Sequence, residues 1–226
     1  MHARKSTGIP DVDEMIEGGF REGSINMVDG DAGTGKSTFA VQFMMAGLAA
    51  GESAIYMSVE ESKESFYTNM LRFGFNLEEY EKAGTLFFYE ANAAQLKEFL
   101  DKGGIGIEDR IMQMKPQRFV LDSISAFALL YETGMKQRTA VQRFIEKLKA
   151  WNLTTLLISE ATQDYTRFGL EFLVDGVVKL WYRKVGHERV RTIEIMKMRG
   201  TKHKIAETVY RIEENGIVLY PSETIF

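Results

Sequence analysis

A glycine-rich stretch near the amino terminus carries the first residues whose types and spacing could do chemistry. The segment from Gly30 to Ser37, GDAGTGKS, matches the pattern of a loop that wraps nucleotide phosphates. Its glycines allow backbone N–H groups to point at a polyphosphate, and a helix beginning beside them adds free amides. We expect Lys36 to reach the β- and γ-phosphates and the Ser37 hydroxyl to bind the accompanying Mg²⁺. The predicted phosphate-binding residues are Gly30, Asp31, Ala32, Gly33, Thr34, Gly35, Lys36, Ser37 and Thr38.

The elements on either side of this loop fit the same chemistry. Residues 24–29 predict a short buried strand, and residues 38–50 form an apolar run of helical length without proline. Strand, glycine loop and helix therefore follow in the order that phosphate binding requires. The alternative is a glycine-rich turn that only connects a strand to a helix, but such a turn has no need of adjacent Lys36 and Ser37.

Three carboxylates are candidates for the chemistry beside the phosphates. Asp122 follows the apolar residues 119–121 at the end of a predicted buried strand, where nucleotidases of this kind hold Mg²⁺, usually through water; the alternative is an aspartate that caps a loop. Glu60 and Glu61 lie at the end of the predicted strand 53–58, which is the next strand after the glycine loop and its helix. The carboxyl ends of parallel strands gather at one crevice, so both acids should lie near the phosphates. A glutamate there can orient and deprotonate the attacking water. The alternative is a glutamate pair favoured by the dipole of a helix that begins at Ser62.

Strands and helices alternate as far as residue 160, which predicts an α/β fold with a mainly parallel central sheet flanked by helices. Two antiparallel hairpins follow, around Gly186 and around Asn215-Gly216. At the end of one central strand, Ser159 and Glu160 are further candidates to sense the γ-phosphate. The predicted strands are 24–29, 53–58, 85–89, 118–122 and 153–159, with hairpin strands 177–184, 189–197, 208–212 and 217–220. The predicted helices are 38–50 with its start near Lys36, 62–73, 93–101, 107–115 and 137–151, besides a short helix between turns within 6–20.

Composition places the chain among single-domain cytoplasmic proteins. With 226 residues, 45% hydrophobic and 27% charged, residues 1–226 suit one compact domain. The net charge of −4 gives no overall basic character that would indicate nucleic acid or an anionic membrane. There is no cysteine, and the three histidines lack metal-ligand spacing. The amino terminus does not resemble a signal peptide, and no apolar run is long enough to span a bilayer.

Several segments together resemble a known family. The chain is similar to the RecA-like P-loop ATPases, and within them to the KaiC-type branch that includes archaeal single-domain members. The resemblance covers almost the whole chain, and its most diagnostic part is Lys-Met-Arg-Gly-Thr-Lys-His at 197–203. The segments that carry the resemblance are 6–9, 18–20, 30–38, 58–61, 119–123 and 197–203.

The resemblance implies a ligand, an assembly and three more site residues. Family members of this kind bind ATP or ADP with Mg²⁺ and form hexameric rings with the nucleotide between subunits. The segment that holds Lys197, Arg199 and His203 then reaches the nucleotide of a neighbouring subunit, where cations stabilise charge developing on the γ-phosphate. The alternative for Lys197 and Arg199 is that they lie on the solvent-exposed face of a strand, since they alternate with Met196 and Met198.

Two classes of function compete for such a fold. The first is an ATPase ring that changes with nucleotide state and regulates a protein partner; the second is a nucleic-acid recombinase or translocase. The second needs basic loops facing a channel, whereas the charges within 130–136 and 161–171 nearly cancel, which favours the first. A binder with little turnover would need a misplaced Glu60. Self-phosphorylation is expected to be weak at most, because Thr133 stands alone where the self-phosphorylating family member has an adjacent Ser-Thr pair.

Overall fold

A computed structural model describes residues 3–92, 94–97, 107–128, 134–160 and 169–223. A sheet of nine strands runs through the molecule, and a separate pair of two-residue strands lies near the amino terminus. In chain order the strands are β1 (Arg4–Lys5), β2 (Phe20–Arg21), β3 (Ile25–Gly30), β4 (Ala54–Ser58), β5 (Leu86–Glu90), β6 (Arg118–Asp122), β7 (Thr154–Glu160), β8 (Gly176–Val185), β9 (Glu188–Met198), β10 (Thr208–Glu213) and β11 (Gly216–Tyr220).

The large sheet has a parallel half and an antiparallel half. Its order is β11-β10-β9-β8-β3-β7-β6-β4-β5, and every pair from β8 to β5 is parallel. The pairs β8–β9, β9–β10 and β10–β11 are antiparallel, so two hairpins extend one side of the sheet. All six residues of β3 are buried, as expected for a central parallel strand covered on both faces.

Helices cover both faces of the parallel half. On one face Val28 packs with Phe39 and Phe43 of the helix that follows the glycine loop. On the other face the preceding residue, Met27, packs with Phe144 of a long helix, because side chains alternate along a strand. The helices are α1 (Pro10–Met15), α2 (Lys36–Ala49), α3 (Lys63–Leu71), α4 (Leu77–Lys82), α5 (Ile107–Met114), α6 (Ile124–Ala128), α7 (Gly134–Ala150) and α8 (Leu170–Leu173).

The predicted fold class is confirmed, with differences at element ends. Helix α2 begins at Lys36, as expected from the glycine loop, whereas α7 begins at Gly134 rather than at residue 137. The helix predicted over 93–101 is described only at 94–97, where it is helical. Sequence patterns did not predict β1, β2, α4, α6 or α8, all of which are six residues long or shorter. Within the described ranges, no helix has both the length and the apolar character that crossing a bilayer requires.

Candidate nucleotide site

The carboxyl edge of the parallel strands brings most of the predicted site residues together. In the strand register, Gly30 at the start of the glycine loop lies beside Glu160 at the end of β7. At the end of β4, Ser58 lies beside Asp122 of β6, and Glu60 and Glu61 follow directly. Since β3, β7, β6 and β4 are consecutive neighbours in the sheet, the glycine loop and these acids share one edge.

The glycine loop has a backbone shape that only glycine adopts easily. Gly33 and Gly35 have φ values of +77° and +91°, in the left-handed region. Helix α2 begins immediately after Gly35, which offers no side-chain cap to the first amides of the helix. Lys36 folds back over the loop, where its Nζ donates a hydrogen bond of 3.0 Å to the carbonyl of Asp31. Free amides, a helix amino terminus and a lysine ammonium therefore converge on one point.

The two predicted Mg²⁺ ligands are in direct contact. Ser37 Oγ donates a hydrogen bond of 2.8 Å to Asp122 Oδ2, and the buried hydroxyl of Tyr56 donates one of 2.7 Å to the same oxygen. Neighbouring ligands of an octahedral Mg²⁺ are about 3 Å apart, because each Mg–O bond is about 2.1 Å. The Ser37–Asp122 spacing and the oxygen chemistry of both groups therefore fit this ion.

The charge balance around Asp122 also suits a cation. Burial raises the pKa of this carboxyl above its ordinary value, and the charge of Glu60 acts in the same direction. Hydrogen bonds from Tyr56 and Ser37 and the charge of Lys36 oppose that rise. Because the pKa is raised overall, the hydrogen bonds and positive charge that the chain supplies offset only part of the cost of burying this negative charge.

The two glutamates have different surroundings. Glu60 is exposed and its Oε1 accepts a short hydrogen bond from the hydroxyl of the buried Ser123, the residue after Asp122. Glu61 Oε1 instead accepts hydrogen bonds from Ser65 Oγ at 2.6 Å and Asn69 Nδ2 at 2.7 Å, both on α3. Glu60 is thus held beside the predicted metal ligand, whereas Glu61 is tied to the first turns of a helix.

The remaining strand-end candidates lie close to the glycine loop. Ser159 is buried and pairs in register with Asp29, one residue before Gly30. The backbone N–H of Glu160 donates a hydrogen bond of 2.8 Å to Ser125 Oγ, which joins the end of β7 to α6.

Three side chains from the hairpin strands support the glycine loop, and none of them was predicted from the sequence. Tyr182 Oη donates a hydrogen bond of 2.9 Å to the Gly33 carbonyl, which also accepts from the Arg191 guanidinium at 3.3 Å. The Tyr210 hydroxyl donates a short hydrogen bond to the Thr34 carbonyl. Their only sequence signal is polar or aromatic residues in predicted hairpins, since the contacts join positions about 150 to 180 residues apart.

The segment with Lys197, Arg199 and His203 lies at the opposite end of the strands from the glycine loop. Met198 pairs with Gly176, which pairs with Asn26 near the start of β3. Gly30 is four residues further along β3, a distance of about 13 Å at 3.3 Å per residue. The structure therefore does not bring this segment to the glycine loop of its own chain.

Within the chain, these basic side chains contact the residues around α8. Lys197 Nζ donates to the carbonyls of Glu171 and Val174 at 2.7 and 2.6 Å, and burial together with the charge of Arg199 lowers its pKa. Arg199 donates to the Phe172 carbonyl at 2.7 Å, and its side chain is 48% exposed. His203 Nδ1 lies 3.4 Å from the carbonyl of Thr201.

Two groups of predicted features fall outside the described residues. Thr133, the candidate for self-phosphorylation, is one of them. The second group is most of the two loops 130–136 and 161–171, whose nearly balanced charges were an argument against nucleic-acid binding. Neither prediction is tested by the structure.

Comparison with known proteins gives matches along almost the whole chain. The family model for the KaiC ATPase matches residues 5–224. A UPF0273 protein of Thermotoga maritima is 31% identical, over 99% of this chain and 98% of that protein. The circadian clock oscillator protein KaiC of Thermostichus vulcanus is 34% identical over 95% of this chain, which spans only 43% of that protein's length.

A solved structure extends the match to three dimensions. The crystal structure of a KaiC-like protein from Pyrococcus horikoshii OT3 superposes with a TM-score of 0.87 at 35% identity. The match covers 98% of this chain and 100% of that one. Matches of sequence and fold over the same length, together with the glycine loop and its acidic neighbours, show that this chain belongs to the KaiC family of RecA-like P-loop ATPases.

Proposed function

We propose that this protein hydrolyses ATP with Mg²⁺ at the subunit interfaces of a hexameric homo-oligomeric ring, and that it acts as a regulatory ATPase on a protein partner. The observation that carries the proposal is the 2.8 Å contact between Ser37 Oγ and Asp122 Oδ2 beside the glycine loop. This contact joins residues 85 positions apart into an oxygen pair of the kind that holds Mg²⁺ on a nucleotide.

Phosphate binding, metal binding and activation of water are each assigned to particular residues of this chain. The loop amides and the start of α2 hold the phosphates, and Lys36 turns from the Asp31 carbonyl to the β- and γ-phosphates. Ser37 and Asp122 would hold Mg²⁺, which when bound would neutralise negative charge on the phosphates. Glu60, exposed at this edge, orients and deprotonates the attacking water. Glu61, just before α3 and held by Ser65 and Asn69 of that helix, supports this role.

The position of the basic segment supports the proposed ring. Lys197 and Arg199 are too far along the strands to reach their own glycine loop, so they serve a neighbour's nucleotide in a ring, and His203 contacts that nucleotide. Exposed apolar side chains on the same part of the chain support burial by a second copy, since such groups are costly to leave in water. They are Phe172, Met196 and Ile205, which are 71%, 50% and 87% exposed.

A protein partner fits this chain better than a nucleic acid. The net charge is −4, and nucleic-acid binding depends on neutralising phosphates with clustered Lys and Arg. No described contact favours the recombinase alternative. Nucleotide-dependent change in a ring that regulates another protein is therefore the function that we propose.

Subunit mixing tests the shared site directly. Glu60→Gln and Arg199→Ala proteins, each inactive, should regain turnover when mixed, because some interfaces then combine an intact Glu60 with an intact Arg199. The matched control is Glu60→Gln mixed with Lys36→Ala, two variants that must each lack turnover alone. Both changes lie on the same side of the interface, so no interface in this mixture combines an intact Glu60 with an intact Lys36. Equal inactivity of both mixtures would mean that the site is completed within one chain.

The fate of the γ-phosphate tests the reaction itself. The protein is incubated with Mg²⁺ and ATP labelled at the γ-phosphate, and free phosphate is then separated from protein-bound label. We expect free phosphate and unlabelled protein. Label retained on the protein would instead favour self-phosphorylation, with Thr133 as the first residue to substitute. If neither free phosphate nor labelled protein formed, the proposed role of Glu60 would be contradicted.

A further inference from the structure

An open groove of about 590 Å³ lies between α3 and α4, beside the end of β5. Its apolar lining includes Leu71, Phe75 and Leu77. Leu77 is almost fully buried, whereas Leu71, on the last turn of α3, is 58% exposed. An exposed leucine above a buried apolar base provides a place for one or two apolar side chains of another molecule.

The charged residues that line this groove are mostly acidic. Four glutamates and one lysine line it, which gives the lining a net charge of −3 at neutral pH. The lysine, Lys63, is already paired, because its Nζ lies 2.6 Å from Glu81 Oε1. The other three glutamates are Glu64, Glu78 and Glu90.

The three remaining carboxylates can still bind a cation. Within the described ranges, Glu64 makes no ion pair, and the Glu90 carboxylate accepts a hydrogen bond from the backbone N–H of Lys63. Glu78 pairs with Lys82, but both side chains are more than 60% exposed, so water competes for this pair. The groove therefore combines an apolar base with a negative rim, which is complementary to an apolar segment flanked by Arg or Lys.

The groove is connected to the proposed catalytic edge through α3. Ser62 and Lys63, which line the groove, follow Glu61 directly in the chain. On the same helix, Ser65 and Asn69 hold the carboxylate of Glu61. A molecule that moves α3 would therefore move a carboxylate at the nucleotide site.

We propose that the groove between α3 and α4 is a docking site for a basic segment of a partner protein, in which one or two apolar side chains are flanked by Arg or Lys. The inference rests on the proposed action on a protein partner and assigns that partner a place and a chemistry. It depends on no step of hydrolysis, so binding is measured without nucleotide.

Fluorescence anisotropy of labelled synthetic peptides tests the proposal on the full chain. One peptide has a pair of leucines flanked by arginines, a second has glutamate for each arginine, and a third has serine for each leucine. We expect the first to bind about tenfold more tightly than the others at physiological ionic strength, because charge and apolar contact both contribute. Equal binding of the first and third peptides would overturn the apolar part of the proposal.

Protein variants then locate the binding site. Glu64→Gln combined with Glu78→Gln, and separately Leu71→Ser, should each weaken the arginine–leucine peptide about fivefold. The control is Glu188→Gln with Glu214→Gln, which removes two exposed carboxylates elsewhere and should leave affinity unchanged. Unchanged thermal unfolding shows that each variant is folded.

Three results would overturn the docking proposal. The first is an equal loss of peptide binding in the groove and control variants, which would mean general attraction to an acidic protein. The second is unchanged binding in all of them. The third is a self-association that Leu71→Ser abolishes and that the peptides do not affect, which would assign the groove to a second copy. A chain that binds the peptide but does not hydrolyse ATP would contradict the proposed function and leave the docking site standing.

Discussion

Tyr56 donates its hydroxyl hydrogen to Asp122 Oδ2 across 2.7 Å, at the same oxygen that Ser37 contacts. The tyrosine is fully buried on β4, with its ring stacked on Phe88 at 5.4 Å and close to Phe66 at 4.6 Å. Burial and the charge of Asp122 raise the pKa of Tyr56 well above its ordinary value, so the hydroxyl stays a donor. A rigid aromatic cluster therefore fixes the orientation of the carboxylate proposed to hold Mg²⁺.

Tyr56→Phe should weaken Mg²⁺ binding more than it weakens the fold. The ring contacts persist, and loss of one hydrogen bond costs about 1 kcal/mol of unfolding free energy. Loss of the group that orients a metal ligand typically costs about tenfold in metal affinity. Titration of Mg²⁺ against binding of a fluorescent ATP analogue measures the effect, and urea unfolding measures stability.

Two variants make the Tyr56 result interpretable. Asp122→Asn removes the charged ligand itself and should weaken Mg²⁺ further than Tyr56→Phe. Tyr67→Phe removes a tyrosine hydroxyl from α3, on the same face of the sheet but away from Asp122, and should leave Mg²⁺ affinity unchanged. Equal Mg²⁺ affinity in wild type and Tyr56→Phe would contradict an orienting role for the tyrosine.

Tyr182 and Arg191 should stabilise the phosphate-binding shape of the glycine loop. Both donate to the carbonyl of Gly33, and Arg191 also lies 5.1 Å from the centre of the Tyr182 ring. We expect Tyr182→Phe and Arg191→Met each to weaken nucleotide binding about two- to tenfold, the range for one lost hydrogen bond. Arg189→Met, on the same hairpin, is the control for loss of charge, and an equal effect there would refute a specific contact.

Local patterns in the sequence predicted the parts of the site that lie on consecutive residues. The glycine loop and its helix are one such part, and Asp122 at the end of an apolar strand is another. Tyr182 and Tyr210 were not predicted, because their contacts with the loop depend on the register of antiparallel strands far away in the chain. Short helices such as α4 were missed for a related reason, since so few residues carry no clear period.

The two left-handed glycines of the loop should respond differently to an added methyl group. A Cβ on Gly35 would lie 2.7 Å from Ile212 Cδ1, whereas one on Gly33 would lie 3.5 Å from Tyr182 Oη, an ordinary contact. Both substitutions strain a positive φ, but Gly35→Ala must also displace a side chain. We expect Gly35→Ala to cost about 1–3 kcal/mol, more than Gly33→Ala.

A second substitution separates the steric effect from the backbone strain at Gly35. Ile212→Val removes the methyl group that the new Cβ would meet and costs about 1 kcal/mol alone. If the clash contributes, Gly35→Ala combined with Ile212→Val should cost less than the sum of the two single changes. Strict additivity in urea unfolding would assign the whole effect to φ.

Glu52 should stabilise the fold in a pH-dependent manner, because it is the main partner of a buried cation. Arg118, with its side chain only 3% exposed, donates to Glu52 Oε2 at 2.6 Å, and Lys5 Nζ lies 2.6 Å from Glu52 Oε1. Although burial opposes it, the hydrogen bonds and charges of Arg118 and Lys5 lower the pKa of Glu52 below its ordinary value of 4.5. The unfolded state therefore binds this proton more readily than the folded state does.

Glu52→Gln should lower the free energy of unfolding by about 3 kcal/mol at pH 7, since Arg118 then stays buried without a charged partner. A carboxylate whose pKa is lowered by folding contributes fully above its unfolded pKa, and its contribution disappears as pH falls through the folded value. The difference between wild type and Glu52→Gln should therefore be constant above about pH 5.5, one unit above the ordinary value, and shrink below 4.5. Urea unfolding across this range measures it, with Glu188→Gln at an exposed position as the control, which should change the free energy of unfolding little at any pH. A difference that stays constant down to pH 3 would show that Glu52 acts through packing rather than through its charge.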